Sequence, residues 1–397
     1  MSSNWVMTWG QAHAALSWFY YPSAKKTYRF IISSAISGEA IRINLSNTGA
    51  HYFDSNIKIG GITVSHCDKN GAVKPNDFTE ITFQGQKQIF LRKGMELTTD
   101  KADFKVDAGE YFCISIFVEK GSLRSGNLLD NITLINRRGD FTHTENLEHT
   151  PRVRDGVRHV AAKILGFDLA KPIPLIDSVE LLNTDDAKAI VLFGDSLTQQ
   201  GHWSNQFETK IRENYPSKYS VINKSIMGNR VTFDGHWMFP ARGLYGIAAK
   251  TRFDYDVLPY DNIAYTLFFE GINDFIEYGS ISAPKSQEPD PQNVLGAAKE
   301  ISSKLHSIGS KMVFMTVIPF GECVDWRPEK EILRNKYNEI ARTNKESFDY
   351  FIDIDEVIKN PEDSAKVRPG LLGKDNLHIN DAGGKVIVDN IPMDIFK

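Results

Sequence analysis

The sequence predicts a two-part chain: a β-sandwich or jelly roll over 1–170, then an α/β unit built on a parallel sheet over 171–397. Three observations lead there. The chain has 397 residues and is 41% hydrophobic, which is more than one ordinary core accommodates. Its first part repeats short runs of alternating apolar and polar residues. Its second part alternates apolar runs with helical patterns, the rhythm of a parallel sheet covered by helices on both faces.

The strands of the first part are legible one by one. "AIRINLSN" puts Ile41, Ile43 and Leu45 on one face, and "YFCISIFVE" does the same with Phe112, Ile114, Ile116 and Val118. "NIKIGGITVSH", "DFTEITFQG" and "KQIFLRKG" are further β-rich runs between Gly, Asn, Asp and Lys. Period-two alternation bounded by turn residues marks half-buried antiparallel strands. Segment 120–165 is polar and reads as an excursion from the sandwich. The handover falls in 165–185, where "AKPIPLIDS", with two prolines, reads as a linker.

The second part gives strand runs at 189–193, 220–226, 263–271, 311–318 and 350–354. Across 291–309, Val294, Ala298, Ile301, Leu305 and Ile308 recur at spacings of three and four, and Gly309 closes the run. That spacing predicts an amphipathic helix with a glycine stop. A second helix is expected over 328–346, opening on Pro328.

Net charge is −4, so nothing in the balance favours nucleic acid or an anionic membrane surface. No apolar run is long enough for a membrane span. The N-terminal residues lack the basic and apolar regions of a signal peptide, so a cytoplasmic protein is expected, and a secreted mature form would look the same. Cys67, Cys113 and Cys323 are odd in number and widely spaced, with neither a metal motif nor a disulfide framework. No metal site and no cofactor are expected.

In doubly wound sheets, ligands bind beyond the carboxyl ends of the strands, so the residues following each strand carry the chemistry. The first strand runs into Gly194-Asp195-Ser196-Leu197, the second into Gly228-Asn229-Arg230, the third into Gly271-Ile272-Asn273-Asp274. A loop ahead of the final helix holds Asp375-Asn376-Leu377-His378. A serine, a histidine, a carboxylate and amide donors are the parts that acyl transfer requires. Each has a plain alternative. Asp195 and Ser196 suit a helix N-cap, and Gly228 and Asn273 suit turns. His202 and His236 lie near these blocks and read as ordinary surface or core residues.

Taken together, "GDSL" at 194–197, Gly228 in "SIMGNR", "GIND" at 271–274 and "DNLH" at 375–378 resemble the four blocks of the GDSL, or SGNH, hydrolases. "TWGQAH", "IRINLSN", "RFDYDVL" and "TVIPFGE" resemble a bacterial subgroup with an added N-terminal β-rich domain. The resemblance implies a flavodoxin-like α/β/α sandwich and metal-free ester hydrolysis. It makes Ser196 the nucleophile, His378 the base and Asp375 its orienting carboxylate. The Ser196 and Gly228 N–H groups and the Asn273 amide would form the oxyanion hole. Asp195, Asn229 and Arg230 are expected to support the pocket, with Arg230 either pairing with Asp195 or meeting substrate.

The expected partner is a small-molecule or saccharide ester, first of all an O-acetyl group on carbohydrate. Short-chain lipid or aryl esters and acyl transfer to a hydroxyl are the alternatives. A carbohydrate-binding protein with an inert hydrolase half fits less well, because an inert copy has no chemical need of all four residues. Aromatic clusters at 18–22 and 51–54 read as core before they read as a sugar platform. The motifs for other chemistries, GxSxG, HExxH and the phosphate-binding glycine loops, do not occur.

Overall fold

The computed structural model describes residues 4–16, 24–49, 55–129, 131–148, 172–235 and 243–397. Two compact units divide the chain: Met1–Ala187 with Pro216–Ser220, and Lys188–Tyr215 with Val221–Lys397.

The first unit is β-rich. In its six-stranded sheet, Tyr111–Lys120 lies between Lys26–Ser33 and Ile57–His66 and pairs antiparallel with both. Ile114 sits opposite Phe30 and Val64, and Ile116 opposite Tyr28 and Ile62. All six side chains are buried, as the alternation requires. The runs expected around 77–94 shrink to Thr79–Ile81 and Ile89–Leu91. Within the polar segment, Ser125–Leu128 and Thr133–Arg138 are strands, while 149–165 lie outside the described residues. The aromatic clusters at 18–22 and 51–54 also lie outside them.

The expected linker "AKPIPLIDS" is instead strand over most of its length. Ile176–Leu182 is an inner strand of the five-stranded sheet, between Trp5–Gly10 and Gly38–Ser46. Arg42 clasps Glu180 with two hydrogen bonds of 2.8 Å, tying that late strand to an early one. Pro172–Pro174 is an edge strand beside Ser125–Leu128. Proline is tolerated there because its missing N–H breaks no inner ladder.

The second unit carries a five-stranded sheet, whose strands we label β1 (Lys188–Gly194), β2 (Tyr219–Asn223), β3 (Ile263–Phe269), β4 (Lys311–Met315) and β5 (Tyr350–Ile352). The order is 2-1-3-4-5, the flavodoxin-like order. Pairing is parallel from β1 through β5. The Lys224 and Ile226 N–H groups donate to the Leu192 and Gly194 carbonyls, carrying the β2 side forward in the same direction. One register row places Phe193, Phe268, Phe314 and Phe351 on four neighbouring strands. Their rings stack 6.2, 6.0 and 5.7 Å apart. This ladder fixes the register of the strands that deliver the site.

Eight helices accompany the sheet among the described residues: α1 (Ser196–Gln199), α2 (Ser204–Asn214), α3 (Ala249–Asp256), α4 (Ile272–Glu277), α5 (Pro291–Ser307), α6 (Pro328–Thr343), α7 (Ile354–Ile358) and α8 (Asp381–Asp389). The expected helix over 291–309 is α5. Asp290 caps it by accepting from the Gln292 N–H, and Val294, Ala298, Ile301 and Leu305 are its buried face. Gly309, at φ +73°, lies just past its end. Among the described residues, no helix is long and apolar enough to cross a membrane, and no cluster of three or more His, Cys, Asp or Glu side chains could hold a metal ion.

Candidate active site

The nucleophile candidate is held by the turn that ends β1. Asp195 caps α1, its carboxylate accepting from the Leu197 N–H at 2.9 Å. Ser196 is therefore the first residue of α1, and it is only 6% exposed. The N-cap reading and the chemical reading of "GDS" describe one geometry: the cap aims the serine at the carboxyl edge of the sheet.

His378 and Asp375 arrive on a loop closed by its own backbone. Gly373 N–H donates to the His378 carbonyl at 2.7 Å, and Asn380 N–H to the Leu371 carbonyl at 3.0 Å. Asn380 also donates its side-chain amide to the Gly370 and Leu372 carbonyls and caps α8 through the Ala382 and Gly383 N–H groups. His378 Nε2 lies 2.8 Å from Ser196 Oγ, and His378 Nδ1 lies 2.7 Å from Asp375 Oδ2. The second oxygen, Asp375 Oδ1, accepts from the Leu377 and His378 N–H groups at 3.1 and 3.0 Å. Burial works to raise the Asp375 carboxyl, but the His378 ring and these backbone donors outweigh it and hold the group well below the usual carboxylate range. A carboxylate accepts from Nδ1–H, so Nε2 is the free lone pair facing the serine hydroxyl.

The remaining predicted residues gather at the same edge. Gly228 has φ +66°, and a Cβ there would collide with the Tyr245 ring. Asn273, in α4, is 6% exposed and donates one amide hydrogen to the Asn229 carbonyl at 3.0 Å. Asn229 is buried, and its Nδ2 donates to the Tyr245 and Ile247 carbonyls, both at 2.8 Å. Arg230 pairs with Glu277 at 3.5 Å rather than with Asp195, and donates to the Asp234 carbonyl. It is fully buried. His202 forms a surface pair with Asp381 at 2.7 Å, and His236 lies outside the described residues.

Below the serine lies a buried acidic floor. Burial pushes Asp195 up to about 7 and Glu277 up to about 8, and raises Asp274 and Glu270 as well. Asp274 accepts from the Val231 and Thr232 N–H groups and the Thr232 hydroxyl, clamping the Gly228 loop to α4. This role of Asp274 is not legible in "GIND", because its partners lie 42 and 43 residues away. Gly383 and Gly384 were also missed. A Cβ on either would collide with a carbonyl, Leu371 for the first and His202 for the second. Gly383 thus lets α8 seat the histidine loop, and Gly384 lets α8 approach the turn between α1 and α2. The paired "GG" inside a helical pattern was the available signal.

An α/β unit with a serine, a histidine and an aspartate in line at its carboxyl edge has the parts that acyl transfer requires. Residues 190–391 match the family of GDSL-like lipases and acylhydrolases, and the chain belongs to that family. Its class is that of the carboxylic ester hydrolases. The chain is also similar to three solved structures. An acetyl xylan esterase shares 22% identity, with 51% of this chain and 97% of that one covered and a TM-score of 0.37. A GDSL-like lipase from Bacteroides thetaiotaomicron shares 17%, covering 53% and 88%, with a TM-score of 0.37. An acetylxylan esterase from Geobacillus stearothermophilus shares 16%, covering 52% and 94%, with a TM-score of 0.39. No curated protein matches the chain.

Proposed function

We propose that this protein hydrolyses small carboxylic esters through an acyl-enzyme on Ser196. One observation carries the reading: the unbroken line from Asp375 through His378 to Ser196, with links of 2.7 and 2.8 Å. Ser196 Oγ attacks the ester carbonyl while His378 Nε2 takes its proton. His378 then returns the proton to the leaving alkoxide oxygen as the C–O bond breaks. Asp375 holds the ring in the required tautomer and stabilises the imidazolium. Water, deprotonated by His378, attacks the acyl carbon and releases the acid, restoring Ser196. The Ser196 and Gly228 N–H groups and the side-chain amide of Asn273 receive the oxyanion.

A small acyl group such as acetyl is the acid we favour. A sugar hydroxyl is the alcohol we favour, and short-chain lipid or aryl alcohols are the competing choice. The three cysteines are free thiols, which suits a reducing compartment, and we read the protein as cytoplasmic. The test is a rate comparison across acetylated sugars and p-nitrophenyl acetate, butyrate and octanoate. The expected result is fastest turnover on acetyl esters and loss of all turnover in Ser196→Ala. Faster cleavage of the octanoate than of any acetyl ester would overturn the small-acyl reading. Full activity in Ser196→Ala would overturn the nucleophile.

A further inference from the structure

A buried arginine ties together the pieces that carry the candidate oxyanion donors. Arg252, on α3, is 2% exposed. Its Nε donates to Asn229 Oδ1 at 2.6 Å, beside Gly228 in sequence. Its Nη1 donates to the Lys224 carbonyl at 2.7 Å and to Asp256 Oδ2 at 2.8 Å. Its Nη2 donates to the Gly194 carbonyl at 3.0 Å, two residues before Ser196, and faces Glu270 Oε2 at 3.6 Å. The guanidinium also lies 3.9 Å from the centre of the Phe193 ring. One rigid group therefore reaches the end of β1, the exit of β2, the Gly228 loop and the end of β3.

We propose that Arg252 is the positioning residue of the candidate oxyanion hole, holding the Gly228–Asn229 loop at a fixed distance from Ser196. The inference rests on the esterase reading above. Its path is explicit. Arg252 fixes Asn229 Oδ1, and Asn229 Nδ2 is fixed by the Tyr245 and Ile247 carbonyls. The Asn229 carbonyl in turn orients the Asn273 amide. The same guanidinium holds the Gly194 carbonyl, so the serine turn and the donors share one anchor. A lysine cannot replace this fork. It carries its donors on a single nitrogen and cannot reach acceptors spread around a plane.

The roles of support and of simple packing give different kinetics. If Arg252 sets the donors, its loss lowers kcat per folded site and leaves KM for p-nitrophenyl acetate nearly unchanged. If it only stabilises the fold, the surviving folded molecules turn over normally. The experiment measures kcat and KM for Arg252→Lys, normalised to sites titrated with a fluorophosphonate. Asn229→Ala cuts the same link from its other end, with a smaller buried change, and keeps the test decisive should the lysine variant fail to fold. The expected result is a kcat loss of about tenfold to a hundredfold in either variant, as for a small misplacement of reacting groups. KM should stay within about threefold, and the double variant should lose less than the product of the two single losses, because the Arg252–Asn229 bond is common to both. Wild-type kcat per titrated site in a folded variant overturns the role of Arg252 and leaves the esterase reading standing. Absence of both turnover and Ser196 labelling in the unmodified protein overturns the esterase reading itself.

Discussion

Asp375 and Asp195 flank the same serine–histidine pair in opposite electrostatic settings. Asp375 lies on an exposed loop and accepts from the His378 ring and two backbone N–H groups, which keep it ionised. Asp195 is buried, accepts from the Leu197 N–H, and is pushed up to about 7. The first setting gives a negative charge beside the His378 ring, where the proposed mechanism needs one. The second gives a group whose charge is costly, among Glu270, Asp274 and Glu277, with Arg230 and Arg252 as the nearby cations. Two carboxylates near one serine are thus held in different protonation settings, because solvent and donors are distributed unequally.

The sharpest way to break this comparison is at the centre of the line. Ser196→Ala should cut turnover of p-nitrophenyl acetate by roughly 10⁴-fold or more, with an unchanged near-ultraviolet dichroism spectrum. Retained turnover would mean the chemistry lies elsewhere. Asp375→Asn should follow, lowering kcat/KM by about 10³- to 10⁴-fold, because an amide supplies no negative charge for the imidazolium. A loss below tenfold would remove Asp375 from the line. Asn273→Ala removes one oxyanion donor and should cost about 100-fold in kcat with little change in melting temperature. Assays of both quantities on one preparation decide it.

The smallest expected effect concerns the buried floor, and its sign follows from linkage. Glu277 is raised from its ordinary value to about 8 by burial, so the native state favours its protonated form. That contribution is full below the ordinary carboxyl value and is lost as pH rises through about 8. Glutamine cannot ionise. Between about pH 5 and about pH 9, the melting temperature of Glu277→Gln should therefore gain on that of the unmodified protein. Parallel melting curves across that range would show that Glu277 carries no such cost.

The elements legible in sequence were those whose signal is local. Val294, Ala298, Ile301 and Leu305 spell out α5 because helix period and burial coincide. Ile41, Ile43 and Leu45 do the same for a strand with one buried face. "GDSL" and "DNLH" were readable because each motif's short-range bonds lie within it: Asp195 to Leu197 N–H, and Asp375 to His378. Strand Ile176–Leu182 was hidden by the proline-bearing edge strand Pro172–Pro174 just before it, since nothing local tells such an edge strand from a linker. Arg230 was open to Asp195 or substrate, and packing instead gave it a partner that neither reading named, Glu277.

By itself, the sequence determined the class: a β-rich part, an alternating α/β part, and a serine, a glycine, an asparagine and an Asp-x-x-His pair placed after its strands. These follow from period, turn chemistry and side-chain type, which are properties of neighbouring residues. Only the tertiary structure decided that His378 stands 2.8 Å from Ser196, that α8 seats the histidine loop through Gly383, and that Arg252 joins Gly194, Lys224, Asn229 and Asp256. The physical reason is the reach of the interactions. A buried guanidinium must satisfy its donors wherever the fold brings acceptors, and those acceptors come from segments that no local pattern connects.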